Sequence, residues 1–257
     1  MYLNLENKLL QQVDDLKKST SFLAIKAEYE AEGADNDEIQ YLRTFTKAAN
    51  LKLFVKIGGV EAKNDIFNCI KIGVDGIIAP MVESKFGVYK FIEATKELNI
   101  SKKTYLAINI ETKNGLQNID EILNEAKGKI NGITIGRTDL SASFFSKKIT
   151  ADSTYITDRI SKLSSDIKNK YNFKLTIGGN VNKETLKIYK KNTVIKKNVD
   201  KIETRKIIFK FDNLIKKPQL LKKALEFEKN YIKLIYEFSK IKNNPRLERL
   251  KKLSKRF

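Results

Sequence analysis

The feature that most constrains the fold is a regular alternation of short apolar runs with segments of helical periodicity. Strand-like runs occupy residues 23–27, 51–57, 75–80, 104–111, 132–136, 173–179 and 199–205. Apolar residues at three- and four-residue spacing predict helices over residues 4–18, 37–49, 62–72, 86–98, 118–126, 154–171 and 183–189. Strands and helices that alternate every 25 to 40 residues or so indicate βαβ units and a parallel sheet.

The polar segments that follow the strands favour one of two architectures. A doubly wound sheet concentrates its site in one crevice, whereas a (β/α)8 barrel gathers every strand-to-helix loop around one mouth. Here charged or glycine-containing segments follow strand after strand: EYEAEG, KIGGVEA, APMVES, NIETKNG, GRTDLS, GGNVN and IETRK. We therefore predict an α/β fold, a TIM barrel, over residues 1–211. Seven strands are clear, and the eighth lies either near the N-terminus or in the run IIFKF at 207–211.

Residues 212–257 form a predicted basic helical extension that packs on the barrel or on a partner subunit. Its apolar stripe is made of Leu220, Leu221, Ala224, Phe227, Tyr231, Ile232, Leu234, Ile235 and Phe238. The last residues, 240–257, are predicted to be a mobile or surface-lying tail.

The strong positive charge does not by itself indicate a nucleic-acid partner. Basic residues exceed acidic ones by 50 to 31, but residues 201–257 hold 18 of the basic and only 6 of the acidic residues, and seven of the 50 basic residues are arginine. A nucleic-acid partner is therefore not expected. The sequence has no apolar run long enough for a membrane helix and no basic-then-apolar leader, so we expect no membrane partner and a cytoplasmic location.

The chain contains no histidine and one cysteine, Cys69. This excludes Ser-His-Asp and Cys-His catalysis, a histidine base, histidine-bound zinc and internal disulfides. Acid–base or metal chemistry must use carboxylates, lysine, tyrosine or water.

Two carboxylates lie just past the ends of successive predicted strands: Glu111 in NIET and Asp139 in GRTDLS. In a barrel that position faces the mouth. Two such carboxylates, completed by water and substrate oxygens, suit a hard cation such as Mg²⁺ or Mn²⁺. Acids at strand ends are also ordinary helix N-caps, so the pair alone leaves both interpretations open.

The ordered segments GVDGIIAPMVES, AINIETKNGLQNIDEI and GITIGRTDLSASF resemble the HpcH/HpaI aldolase and citrate lyase family. Members are metal-dependent TIM barrels that make or break bonds beside a pyruvate-like enolate. The resemblance covers roughly residues 21–210, and KAEYEAEG, KIGGVEA and ETRK are similar to a branch labelled only aldolase or citrate lyase-like. It implies that Glu111 and Asp139 hold Mg²⁺ or Mn²⁺. It also implies that Asn109, where the family often has glutamine, lines the site.

The chain departs from the family in its basic groups. The arginine that grips the substrate carboxylate at an earlier strand end is replaced by Lys56 in VKIGG. Lysine supplies charge without a bidentate fork, so we expect Arg137, two residues before Asp139, to bring a guanidinium to the metal. The alternative for Arg137 is a salt bridge to a barrel carboxylate such as Glu111.

The family's histidine base is also missing. The candidates for proton transfer are Glu32 and Glu61, together with Glu30, a metal-bound water, and Glu28 if it points into the barrel.

Glycine turns supply the predicted substrate-binding backbone. Gly136 and Thr138 adjoin the predicted metal site, and Gly178 and Gly179 follow a late strand, where barrels often bind phosphate or carboxylate through N–H groups. A plain turn explains the later pair equally well, and Glu203 and Arg205 could form an inward ion pair.

The resulting prediction is a metal-dependent carbon–carbon lyase or aldolase that acts on a 2-oxo acid and forms a homo-oligomer. One alternative is an aldolase in which Lys26 or Lys56 forms a Schiff base with the substrate. Another is a catalytically degenerate barrel with a binding role.

Overall fold

The computed structural model describes residues 2–20, 22–239 and 245–255. The strands are β1 (Phe22–Glu28), β2 (Lys52–Lys56), β3 (Gly76–Ala79), β4 (Tyr105–Ile110), β5 (Gly132–Gly136), β6 (Lys174–Gly178), β7 (Lys201–Glu203) and β8 (Ile207–Lys210). The helices are α1 (Tyr2–Ser19), α2 (Asn36–Ala48), α3 (Lys63–Ile72), α4 (Lys85–Glu97), α5 (Lys113–Gln117), α6 (Ile119–Ala126), α7 (Arg137–Ala142), α8 (Thr154–Asp166), α9 (Lys183–Lys191), α10 (Thr193–Asn198), α11 (Phe211–Lys216), α12 (Gln219–Ser239) and α13 (Pro245–Ser254). A π-helical turn over Ile167–Tyr171 extends α8.

The eight strands close into a barrel in sequence order, which confirms the predicted fold. The eighth strand is the run at 207–210, and it is antiparallel to both β7 and β1. Only residues 204–206 separate β7 from β8, and a parallel connection needs a crossover of about a dozen residues or more. The chain therefore turns back in a hairpin, in which the Thr204 amide donates to the Ile207 carbonyl at 2.9 Å.

Alternation along the strands divides the barrel interior into an apolar lower layer and a polar upper layer. At the amino end of the barrel, Phe54, Ala24, Ile78, Ala107 and Ile208 form an enclosed cluster. Two residues further along the strands, towards their carboxyl ends, most of the inward-facing side chains are polar. They are Lys26, Lys56, Asn109 and Glu203, while the corresponding position of β5 is Gly136. The two-residue alternation that packs the apolar layer inside the barrel therefore also places a polar layer at its mouth.

Helix caps fix where the chain leaves the mouth. Asp35 accepts the Glu38 amide at 2.8 Å, Ser84 the Gly87 amide at 3.1 Å, and Thr112 the Gly115 amide at 3.0 Å. Each satisfies one of the unpaired amides of a helix start.

The hairpin sends the C-terminal helices from the bottom of the barrel back to its mouth. Near the start of α12, Lys217 Nζ donates to the Ser19 carbonyl, just before β1, at 2.7 Å. Further along, Tyr231 Oη donates to Glu38 Oε1, beyond the end of β1, at 2.6 Å. A 21-residue helix is about 31 Å long, enough for this span.

The apolar stripe of α12 is buried against the helix's own chain. The buried members are Leu220, Leu221, Ala224, Phe227, Tyr231, Ile232, Leu234 and Ile235; the side chain of Phe238 lies outside the described residues. The stripe is therefore core, and it offers no ground for a subunit contact. The division into a barrel domain, 1–211, and a basic helical extension, 212–257, stays a prediction.

Of the two predictions for the tail, mobile or surface-lying, residues 245–254 fit the second: they form α13, in which Glu248, Lys251, Lys252 and Ser254 are exposed. Leu253 is fully buried in the main core, and α13 packs on α12. Residues 240–244 and 256–257 lie outside the described part of the chain. Within that part, no helix combines the length and apolar character needed to cross a membrane.

Lys201 is a charged residue beside the apolar lower layer, where its Nζ lies over the Phe54 and Tyr105 rings, and within the described part of the chain no acidic side chain forms an ion pair with it. Its Nζ lies 4.2 Å from the Tyr105 ring centroid and 3.1 Å from Tyr105 Oη. Burial lowers the pKa of Lys201 to about 8. Because the pKa is lower in the folded chain, the ammonium form opposes folding; the penalty is full below pH 8 and disappears above the ordinary value of 10.5.

We therefore expect Lys201→Met to stabilise the protein at pH 7 by about 1–2 kcal/mol, after allowing for the lost ring contact. The advantage should shrink between pH 8 and pH 10.5, which thermal denaturation across that range would measure. A variant less stable than the wild type at pH 7 would contradict this account of Lys201.

Candidate active site

A cavity of about 230 Å³ opens at the carboxyl ends of the strands, inside the polar upper layer. Its lining consists of Lys26, Glu28, Ala31, Lys56, Asn109, Glu111, Gly136, Thr138, Asp139, Gly179, Asn180, Val181, Glu203, Thr204, Arg205 and Arg249. Four basic and four acidic side chains therefore surround one space.

Glu111 is held in a fixed position at the end of β4. Its Oε1 accepts the Met81 amide at 3.0 Å and its Oε2 accepts from Asn109 Nδ2 at 3.1 Å. The residue is 2% exposed. Burial and the nearby Asp139 charge raise the pKa of Glu111, against opposition from Lys56 and the two hydrogen bonds. The groups around ionised Glu111 therefore supply too little positive charge to offset its burial.

The helix-cap interpretation of the two acids does not fit the geometry. Thr112, not Glu111, caps α5, and Asp139 is the third residue of α7 rather than its cap. Both carboxylates line the cavity instead.

The oxygens here fit a hard divalent cation. Two carboxylates meet at the cavity, and Asn109 Oδ1 is buried without a hydrogen-bond partner among the described residues. Over the same residues no group of three or more acidic, cysteine or histidine side chains could hold a metal. A cation at Glu111 and Asp139 would need water or substrate oxygens to complete its shell, which is how Mg²⁺ is usually held.

The other two cavity carboxylates are neutralised by lysines and an arginine. Lys26 Nζ lies 2.6 Å from Glu203 Oε1 and 3.0 Å from Glu28 Oε1. Glu28 Oε2 lies 3.1 Å from Lys56 Nζ and 3.3 Å from Arg205 Nη1. The described residues give no such ion pair to Glu111 or Asp139, which distinguishes these two carboxylates from Glu28 and Glu203.

These ion pairs also keep Lys26 positively charged. Burial alone would lower the pKa of Lys26, but Glu203 and Glu28 raise it above the ordinary value. Burial would likewise raise the pKa of Glu28, but Lys26, Lys56 and Arg205 hold it well below its usual range. A permanently charged ammonium is a poor Schiff-base nucleophile, which weighs against Lys26 in that role.

The cavity brings together most, not all, of the predicted site residues. Those on its surface are Lys56, Asn109, Glu111, Gly136, Thr138, Asp139 and Gly179. Gly178 lies behind the surface, where a Cβ would come 2.8 Å from the Glu203 side chain.

Two of the predicted proton-transfer groups lie outside the cavity. Glu61 is paired with Lys90 at 2.6 Å on the exterior. Glu32 is ion-paired with Lys206, accepts the Glu28 amide at 3.2 Å and does not line the cavity. Both assignments are corrected, because Lys90 and Lys206 hold these two carboxylates away from the cavity. Of the carboxylates weighed for this role, Glu28 lines the cavity.

Arg137 points away from the cavity, contrary to expectation. It is fully buried, and its Nη1 lies 2.6 Å from Asp152 Oδ1. Its Nε donates to the Gly178 carbonyl at 3.1 Å and its Nη2 to the Gly179 carbonyl at 2.6 Å. The guanidinium therefore anchors the turn after β6, and the metal-site role does not hold. The alternative, a salt bridge to a carboxylate, is observed with Asp152 and not with Glu111.

Arg249, on α13, lines the cavity and was missed by the sequence analysis. Nothing near it in sequence marks it, because the hairpin and the length of α12 bring it to the mouth. Arg205 carried a signal, since it closes the last strand-end motif, but an inward ion pair explained it equally well.

Gly136 leaves the space that Glu111 occupies. A Cβ at this position would lie 2.2 Å from Glu111 Oε2 and 2.8 Å from Glu111 Cβ. We expect Gly136→Ala to displace the carboxylate and weaken Mn²⁺ binding at least about tenfold, measured by calorimetric titration. Gly59→Ala is the control, because nothing lies within 4 Å of a Cβ there; equal Mn²⁺ affinity in both variants would contradict the assignment.

Comparison with known proteins bears on the family. The sequence matches the HpcH/HpaI aldolase/citrate lyase family over residues 32–164, about half of the chain. The chain belongs to this family. Carbon–carbon lyase chemistry of the aldolase or citrate lyase type is therefore its general class. Comparison with curated proteins gives no match.

Solved structures similar to this member of the HpcH/HpaI family share its fold. A family protein from Burkholderia cenocepacia J2315 has a TM-score of 0.63 and 10% identity, over 86% of this chain and 89% of that one. The citrate synthase SbnG has a TM-score of 0.57 and 17% identity over the same shares. RipC from Yersinia pestis has a TM-score of 0.50 and 16% identity, over 70% and 80%. At these identities the likeness concerns the barrel alone.

Proposed function

We propose that this chain is a divalent-metal-dependent carbon–carbon lyase or aldolase that acts on a 2-oxo acid through an enolate. The observation that supports this most is the pair Glu111 and Asp139. They are the cavity carboxylates without an ion pair among the described residues, and they lie beside the unpartnered Asn109 Oδ1.

Glu111 and Asp139 would hold Mg²⁺ or Mn²⁺, with Asn109 orienting Glu111 through its Nδ2 group. The bound cation would supply Lewis-acid stabilisation of the charge that develops on the 2-oxo oxygen.

The chain's own residues would bind and orient the substrate around that point. Lys56 Nζ, held by Glu28 at 3.1 Å, places a fixed positive charge in the cavity. Gly136, Thr138 and Gly179 form the opposite surface, where Thr138 adds a hydroxyl group. Gly179 has φ +82°, and a Cβ there would come 2.6 Å from the Thr138 amide nitrogen, so this turn admits only glycine without strain.

The test is pyruvate release from a panel of aldols and 2-oxo acids, including oxaloacetate, with Mg²⁺ or Mn²⁺ and again after EDTA. Activity that EDTA removes and metal restores is the expected result. Activity that is indifferent to EDTA and trapped by borohydride would instead identify a lysine Schiff base. If no compound of the panel released pyruvate under either condition, a binding role would be favoured.

We also keep the proposals of a homo-oligomer and a cytoplasmic location. Sedimentation of the full chain tests the first, and fractionation of source cells tests the second.

A further inference from the structure

The chain's last described helix reaches the candidate active site. Arg249, on α13, lines the same cavity as Glu111 and Asp139. Its Nε lies 2.7 Å from Glu228 Oε1 on α12, and Glu228 is fully buried. The Arg249 side chain is 23% exposed, so it is anchored at one side and open at the other.

This contact holds Arg249 through one nitrogen of its guanidinium. Within the described residues the two terminal nitrogens have no partner, whereas the Arg137 guanidinium is fully occupied by Asp152, Gly178 and Gly179. Terminal guanidinium nitrogens form the fork that binds a carboxylate with two parallel hydrogen bonds.

A second arginine lies on the same wall of the barrel. Arg205 belongs to the β7–β8 turn, pairs with Glu28 on β1 at 3.3 Å and interacts with the Glu228 charge that anchors Arg249. Strands β7, β8 and β1 are neighbours in the closed barrel, and β4 and β5 lie opposite them. Glu111 directly follows β4, and Asp139 lies on α7, which directly follows β5. The cavity therefore has the two carboxylates without an ion pair among the described residues on one wall, and two guanidinium groups beside the ion-paired Glu28 and Glu203 on the other.

From this arrangement we infer that α13 is part of the substrate-binding site and that Arg249, with Arg205, binds a second carboxylate of the substrate. This carboxylate lies at the end remote from the 2-oxo acid group. The inference rests on the proposed function, since it takes the 2-oxo acid end to lie at Glu111 and Asp139. It makes a residue of the C-terminal helix the determinant of substrate charge.

The test compares ligands that differ only in a terminal carboxylate. Calorimetry with Mg²⁺ would measure binding of 2-oxopentanoate against 2-oxoglutarate, and of 2-oxohexanoate against 2-oxoadipate. We expect the wild type to prefer the diacid in at least one pair by about tenfold or more. Arg249→Gln should remove most of that preference, and Arg249→Lys should restore part of it.

Two further variants make the comparison decisive. Lys252→Gln removes an exposed charge from the same helix and should keep the wild-type preference. Because Arg249→Gln leaves Glu228 buried without its partner, the double variant with Glu228→Gln restores a neutral contact if the single variant is unstable.

The outcomes separate the two claims. Metal-dependent binding of the monoacids with no diacid preference, or a preference that survives Arg249→Gln, would overturn the role of Arg249 and leave the proposed function standing. Binding of all four acids that is unaffected by EDTA, or no binding at all, would overturn the proposed function, and the inference with it.

Discussion

Replacing Glu111 by glutamine should reduce metal-dependent turnover by about a thousandfold while the barrel stays folded. The substitution removes one of the two carboxylates available for a cation. The shape of the side chain is retained, and glutamine Oε1 can still accept the Met81 amide, as Glu111 does at 3.0 Å.

The hydrogen bond to Asn109 can also be kept in this variant. In the wild type Asn109 Nδ2 donates to Glu111 Oε2, and Asn109 Oδ1 has no partner among the residues that the structure describes. If the Asn109 amide turns over, Oδ1 accepts from the new glutamine Nε2 group. Removal of a buried carboxyl whose pKa is raised by burial costs little, so we expect the metal-free protein to lose no more than about 1 kcal/mol of stability.

The control is Glu184→Gln, an exposed carboxyl whose single ion pair among the described residues is with exposed Lys187. It should keep full turnover and full response to Mg²⁺. Full activity in the Glu111 variant, measured with the same substrate and metal, would remove Glu111 from the site.

Replacing Arg137 by methionine should destabilise the chain by about 3–5 kcal/mol. The guanidinium is fully buried and donates to Asp152, Gly178, Gly179, Ala151 and Thr185. Burial alone would raise the pKa of Asp152, but the Arg137 charge and three hydrogen bonds hold it below its usual range. Methionine would leave three carbonyls without this donor and the Asp152 carboxylate without its positive partner.

A thermal or denaturant unfolding experiment measures the effect, and a Tm lower by about 10 °C is expected. Arg159→Met is the matched control, because Arg159 is exposed and its guanidinium lies over the Tyr155 ring at 3.3 Å; it should cost less than about 1 kcal/mol. Unchanged stability with a large loss of kcat in the Arg137 variant would return Arg137 to a catalytic role.

The order of strands and helices could be predicted because each element is encoded locally. Apolar alternation and helical spacing predicted seven strands within a few residues of their positions, such as Tyr105–Ile110 against 104–111. The direction of β8 could not be predicted, because it depends on residues 204–206 being too few for a crossover. α5, α7 and α10 were also missed, since each is five or six residues long and carries too little periodicity.

The position of a residue on a strand proved more informative than its charge. Glu111, Asn109 and Lys56 follow the alternation of their strands, which places them in the cavity. The direction of a side chain beyond a strand end depends on its partners in space. Arg137 turns to Asp152, 15 residues later, and Glu32 turns to Lys206, 174 residues away.

Arg249 represents the limit of what the sequence can indicate. Its contact with Glu228 follows from the hairpin, the length of α12 and the return of α13, none of which is visible in the residues around it.

Hydrogen–deuterium exchange at the methyl group of pyruvate tests the central claim most directly, because it reports enolate formation without requiring the second substrate. In D₂O we expect the wild-type chain to exchange these protons for deuterium when Mg²⁺ or Mn²⁺ is present. The exchange should stop after EDTA is added and resume when metal is restored. Exchange that persists in EDTA, or that Glu111→Gln leaves intact, would contradict the metal-dependent enolate mechanism proposed for this barrel.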